Sequence, residues 1–174
     1  MLTLIVGGAS SGKSAFAEEL LLKSDASVRV YLATMEPYGS EAAERIARHR
    51  EARRGKGFVT LERSRDLAGA EVPSGSAVLL EDLGNLCANE LFSPDGAGEN
   101  AADAILRGVA ALRERCRDLV IVSNEAGTDG ARYDADTLRW LGTLAYLHRA
   151  LARDADAVCE VCALRVIWYK GEQS

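Results

Sequence analysis

Short apolar runs recur along the chain, and between them lie longer stretches in which apolar residues return every three or four positions. The runs at 2–6 (LTLIV), 28–33 (VRVYLA), 76–81 (SAVLLE) and 119–123 (LVIVS) are rich in branched aliphatics and predict strands. Residues 58–62 (FVTLE) predict a shorter strand, and 157–169 one or two closing strands. Helical spacing predicts helices over 15–22, 41–54, 83–92, 100–117 and 135–153. Ser40 is placed to cap the second of these, with Glu41 and Glu44 in its first turns and Arg50, Arg53 and Arg54 in its last. Pro37 and Gly39, the Pro/Gly-rich stretch 93–99 and the polar stretch 124–134 read as loops. Strands that alternate with helices and read as continuous apolar runs imply a mostly parallel sheet covered on both faces, whose ligands gather at the carboxyl ends of the strands.

One of those ends carries a motif. Gly7, Gly8, Ala9, Ser10, Ser11, Gly12, Lys13 and Ser14 follow the first strand, open the first helix and fit G-x-x-x-x-G-K-[ST], the P-loop. Gly7 and Gly12 free the backbone to turn so that consecutive N–H groups point at phosphate oxygens, and the helix start adds partial positive charge. Lys13 is expected to reach the β- and γ-phosphates, and the Ser14 hydroxyl to coordinate a bridging Mg²⁺. The alternative is a glycine-rich turn that only joins strand to helix.

Composition narrows the class. At 174 residues, 48% hydrophobic and 27% charged, the chain reads as one globular domain over 1–174, without an apolar run of membrane-spanning length or a leader, and hence as cytoplasmic. A net charge of −5 argues against a general nucleic-acid binder. Cys159 and Cys162 have C-x-x-C spacing, but on a strand an odd spacing sends two thiols to opposite faces, so they read as buried structural thiols, as do Cys87 and Cys116.

Two further constellations stand at or near strand ends. Glu81 closes SAVLLE as a Walker B carboxylate would, near the P-loop cation; a solvated strand-end acid is the alternative, and the same pair of readings holds for Asp82. Asn124 and Glu125 follow LVIVS as site residues or as loop structure. Arg45, His49 and Arg53, spaced by four, share one helix face, and His49 is flanked by five arginines. Neighbouring cations disfavour the protonated imidazole and attract triphosphate, which leaves a nucleophile toward phosphorus; a solvated basic helix end is the bland alternative.

Taken together, GGASSGKS, YLAT at 31–34, ERIARHR at 44–50, Thr60-Leu61-Glu62, VLLE at 78–81 and SNEAG at 123–127 resemble the adenosylcobinamide kinase / adenosylcobinamide-phosphate guanylyltransferase family. The resemblance implies a RecA-like P-loop NTPase fold, a three-layer α/β sandwich with a mostly parallel central sheet, assembled as a homotrimer. It implies phosphorylation of the corrinoid adenosylcobinamide by ATP or GTP, then attack of a histidine on GTP to give a GMP-histidine that passes GMP to the phosphorylated substrate. By the same resemblance His49 is the nucleophile, Lys13 and Glu81 are catalytic, Ser14 and Glu81 hold Mg²⁺, and nucleotide contacts fall on 7–14, on Ala33, Thr34 and Met35, on Arg50, Glu51, Ala52 and Arg53, and on Glu62 and Glu81.

The chain departs from the family pattern as well. Ser10 replaces an arginine of the P-loop, Gly39-Ser40-Glu41-Ala42 replaces an acidic stretch, Arg54 a proline, and 126–132 (AGTDGAR) a V-G-x-G-I-V-P loop; Trp140-Leu141-Gly142 and His148-Arg149 stand where F-R-D and N-Q are usual. His148 then reads as a surface or interface histidine. Two alternatives to the family function are a P-loop kinase of another small molecule and a non-catalytic GTP-binding relative. No N-K-x-D occurs, which disfavours a switch GTPase.

Overall fold

The computed structural model describes residues 1–36, 51, 55–127 and 130–171. Its centre is a sheet of seven strands: β1 (Leu2–Gly7), β2 (Arg29–Ala33), β3 (Phe58–Glu62), β4 (Ala77–Glu81), β5 (Asp118–Asn124), β6 (Ala157–Cys162) and β7 (Arg165–Lys170), in the order β3-β2-β4-β5-β1-β6-β7. All neighbours are parallel except the β6–β7 hairpin. Among the described residues four α-helices cover it: α1 (Lys13–Leu22), α2 (Leu83–Phe92), α3 (Ala101–Arg115) and α4 (Ala135–Asp154).

The strands read as unbroken apolar runs because both faces are buried, yet each run divides by the two-residue period of a strand. Leu2 and Leu4, Val30 and Leu32, Val78 and Leu80, and Leu119 and Ile121 face the core that holds Leu83, Leu86, Ile105, Leu112, Leu144, Leu147 and Leu151 of α2, α3 and α4. Ile5, Tyr31, Ala77, Leu79, Val120, Val122, Cys159 and Val161 face Ala17 and Leu21 of α1. The result is the expected three-layer sandwich. Asp82 caps α2 by accepting from the Asn85 N–H at 2.7 Å, and Asp134 caps α4 by accepting from the Thr137 N–H at 2.7 Å.

Two expectations gain detail. Residues 157–169 form two strands, not one, and the turn at Ala163 and Leu164 contains none of the residues that mark a turn in sequence. Cys159 is buried and Cys162 exposed, on opposite faces as the strand period requires, so the expectation of buried thiols holds for Cys87 and Cys159 and is corrected for exposed Cys162 and half-buried Cys116. Among the described residues no helix is long and apolar enough to cross a membrane. The helix expected over 41–54 lies, apart from Glu51, outside the described residues.

Candidate functional site at the carboxyl edge of the sheet

Because β1 to β6 are parallel, their carboxyl ends line one edge. Register brings them into rows: Ala33 pairs with Glu81 and with Glu62, and Gly7 with Asn124. The loop between β1 and α1 rises from this edge. A β-carbon on Gly7 would stand 2.4 Å from the Val161 carbonyl oxygen, so the chain leaves β1 flush against β6. Ser10 (φ 57°) and Gly12 (φ 98°) supply the left-handed turns that carry it into the helix.

Lys13 is buried, and its Nζ donates to the Gly8 carbonyl at 2.9 Å, reaching back across the loop. Ser11 Oγ is buried with no hydrogen-bond partner among the described residues, a polar atom of the loop that a phosphate oxygen would satisfy. At the start of α1 the Ser14 hydroxyl donates to Glu81 Oε1 at 2.5 Å. Glu81 closes β4, where strand pairing holds it in the sheet and burial raises its pKa. The Ser14 hydrogen bond opposes that shift, the negative charges of Asp82 and Glu18 add to it, and a hydrogen bond from Tyr31 opposes it again.

A hydroxyl and a carboxylate side by side are hard oxygen donors of the type a divalent magnesium ion takes. Their chemistry and adjacency fit such an ion. Glu81 is buried and not a solvated strand-end acid.

The surrounding residues hold this edge in shape. Thr34, fully buried, donates its hydroxyl to the Asp82 carbonyl at 2.8 Å, and its N–H to the Glu81 carbonyl at 3.1 Å. Asn89 Nδ2 bonds the carbonyls of Thr34 and Ser64 at 2.8 and 3.1 Å, tying the turns after β2 and β3 to α2. Asp82 serves as the helix cap, and its second oxygen accepts from Asn124 Nδ2 at 3.0 Å. Asn124 thereby joins the end of β5 to that of β4. Ala33, Thr34, Met35 and Glu62 stand together at the ends of β2 and β3, whereas His49, Arg50, Ala52 and Arg53 lie outside the described residues and Glu51 is exposed.

Two residues escaped the sequence reading. Glu18 is buried four residues after Ser14, on the same face of α1, and pairs with Lys56 Nζ at 2.5 Å. The i, i+4 spacing from Ser14 was the available signal. Lys56 itself, reached only through the fold, gave none. His148, read from the sequence as a surface or interface histidine, is half-buried: its Nε2 lies 2.7 Å from the buried Ser123 hydroxyl, and burial lowers its pKa from 6.5.

The family model for cobinamide kinase / cobinamide phosphate guanyltransferase matches residues 3–166. The chain is 33% identical over 176 residues to the bifunctional adenosylcobalamin biosynthesis protein CobP of Pseudomonas aeruginosa, covering 99% of each. It is 35% identical over 141 residues to the bifunctional adenosylcobalamin biosynthesis protein CobU of Escherichia coli, covering 73% of this chain and 76% of that one. Among solved structures it is similar in fold to a Pyrococcus horikoshii protein, PH0250 (TM-score 0.52, 11% identity, 99% of this chain and 87% of that one). The flagellar accessory protein FlaH of Methanocaldococcus jannaschii is a second such neighbour (TM-score 0.50, 8% identity, 98% and 78%).

Proposed function

This chain belongs to the cobinamide kinase / cobinamide phosphate guanyltransferase family, and from that premise we propose that it carries out both reactions on a corrinoid acceptor. In the first, the acceptor hydroxyl oxygen bonds to the γ-phosphorus of ATP or GTP, the bond from that phosphorus to the β,γ-bridging oxygen breaks, and a nucleoside diphosphate leaves. In the second, a ring nitrogen of His49 bonds to the α-phosphorus of GTP and pyrophosphate leaves. A phosphate oxygen of the phosphorylated acceptor then takes the GMP and frees the imidazole.

The observation that carries the proposal is the contact of Ser14 with Glu81 at the mouth of a loop whose lysine is already turned inward. Lys13 neutralises the β- and γ-oxygens, and the loop N–H groups and Ser11 hydroxyl fix the phosphates in line with the acceptor. Ser14 and Glu81 would hold Mg²⁺, which supplies positive charge to the leaving diphosphate. Ala33, Thr34, Met35, Glu62 and the segment Arg50, Glu51, Ala52 and Arg53 would contact GTP in the second step. We place the enzyme in the cytoplasm as a homotrimer, by resemblance to its family.

The test is incubation with Mg²⁺ and α-labelled GTP, denaturation, and assay for acid-labile label on wild type and His49→Ala. Label on the wild type and none on the variant is expected. Absence of label under conditions where GTP binds would overturn the guanylyl-transfer half and leave a kinase.

A further inference from the structure

The hairpin joining β6 to β7 ends against the phosphate loop. Its turn residues, Ala163 and Leu164, have φ of 49° and 65°, the left-handed pair that a type I′ turn demands and that asparagine and glycine usually supply. The Leu164 N–H donates to the Ser11 carbonyl at 3.0 Å. Its Cδ2 lies over Gly12, 2.5 Å from where a β-carbon on that glycine would stand, yet the residue is 81% exposed. Phe16 in α1 and Trp168 in β7 meet edge to face, with ring centroids 6.0 Å apart, so helix and hairpin are fixed to each other. Leu164 is thus an exposed apolar side chain standing beside the phosphate loop.

The direction of the loop indicates what meets that side chain. Ser14 and Glu81 mark the end where the terminal phosphates sit, and Glu81 belongs to β4, separated from β1 by β5. The hairpin lies on the other side of β1. A triphosphate with its γ-phosphate toward β4 therefore carries its nucleoside toward β6 and Leu164.

We propose that Leu164 is the platform on which the nucleoside of the phosphoryl donor rests during the kinase step, an inference that depends on the phosphate-binding role proposed above for residues 7–14. The contact is apolar and has no hydrogen-bonding code, so it takes adenine or guanine alike. Ala33 to Met35 and Glu62 stand at the ends of β2 and β3, beyond β4. A nucleoside contacting them points the opposite way, so the two half-reactions hold their nucleosides on opposite sides of one phosphate loop.

Leu164→Gly removes the platform while keeping a backbone conformation that glycine adopts freely, and Leu164→Met restores an apolar side chain. Binding of Mg²⁺-ATP and Mg²⁺-tripolyphosphate is measured by calorimetry for each. Leu164→Gly is expected to weaken ATP about fivefold to tenfold, the loss for uncovering one aliphatic contact, with tripolyphosphate unchanged and ATP recovered in Leu164→Met. Equal loss for both ligands would make Leu164 a brace of the loop and overturn the proposal, as would no loss for either. Photolabelling of the wild type with 8-azido-ATP gives a second readout: label on the peptide spanning 162–168 is expected, and label confined to other peptides overturns the proposal. Wild-type protein that binds neither ligand would refute the phosphate-loop role and this inference with it, whereas tripolyphosphate binding leaves that role standing whatever Leu164 does.

Discussion

Gly7 and Gly8 are adjacent in the motif, but the structure sets different costs for an alanine at each. On Gly7 the new β-carbon would stand 2.4 Å from the Val161 carbonyl oxygen and 2.8 Å from Ser11 Oγ, where ordinary contact begins at 3.4 Å. The Val161 oxygen is backbone in a strand paired to β1, so relief requires about 1 Å of movement between loop and sheet. Overpacking of a tight core costs about 1–3 kcal/mol, and a rigid backbone partner puts Gly7→Ala at about 2–3 kcal/mol. For a chain of this length that lowers the melting temperature by about 4–12 °C. On Gly8 nothing lies within 4 Å of the new atom and φ is not left-handed, so Gly8→Ala should stay within about 0.5 kcal/mol. Thermal melts without ligand give the contrast directly. Repeating the Gly7→Ala melt with Mg²⁺-GTP should show the nucleotide-induced shift reduced, because the displaced loop no longer aligns with Lys13. A Gly7→Ala protein melting with the wild type, or a Gly8→Ala protein losing as much as Gly7→Ala, would refute the steric account.

Two other outcomes rest on buried titratable groups. Glu81→Gln should lower phosphorylation turnover about 10²- to 10³-fold, the scale of losing one electrostatic group at a reacting centre. It should at the same time raise the ligand-free melting temperature at neutral pH. Burial first, then Asp82 and Glu18, raise the folded-state pKa of Glu81, so its contribution to stability is full at low pH and lost as pH rises through that raised value; glutamine stays neutral throughout. Melts across the acid range that show no difference in slope between the two proteins would contradict this. Burial lowers the pKa of His148 below 6.5, so its contribution is full above 6.5 and lost as pH falls through the lowered folded value. His148→Ala should flatten that acid slope while leaving the buried Ser123 hydroxyl short of a partner, at a cost of about 1–3 kcal/mol in urea unfolding; an unchanged slope would show that His148 does not titrate on unfolding.

Much of the fold was legible in the chain because its signals are local. Unbroken apolar runs mark strands buried on both faces, and the P-loop spacing marks where the first strand turns into helix. The last apolar run resisted reading: Ala163 and Leu164 carry no turn signal, and their left-handed geometry is held by pairing on both sides and by the contact with Ser11. The thiols at 159 and 162 were separable from spacing alone, since the two-residue period of a strand holds wherever the strand lies.

The parallel α/β class, the glycine-rich loop after β1 and the acid at the end of β4 were all readable in the chain, because each follows from residue type at fixed short spacing. Which neighbours those residues meet emerged with the folded arrangement of the strands and helices. Asp82 came to accept from Asn124, Glu18 became a buried partner of Lys56, and His148 a ring turned against Ser123. Each of these pairs spans tens of residues in the chain, and burial and register, which fix charge state and partner, arise only when strands distant in sequence lie side by side.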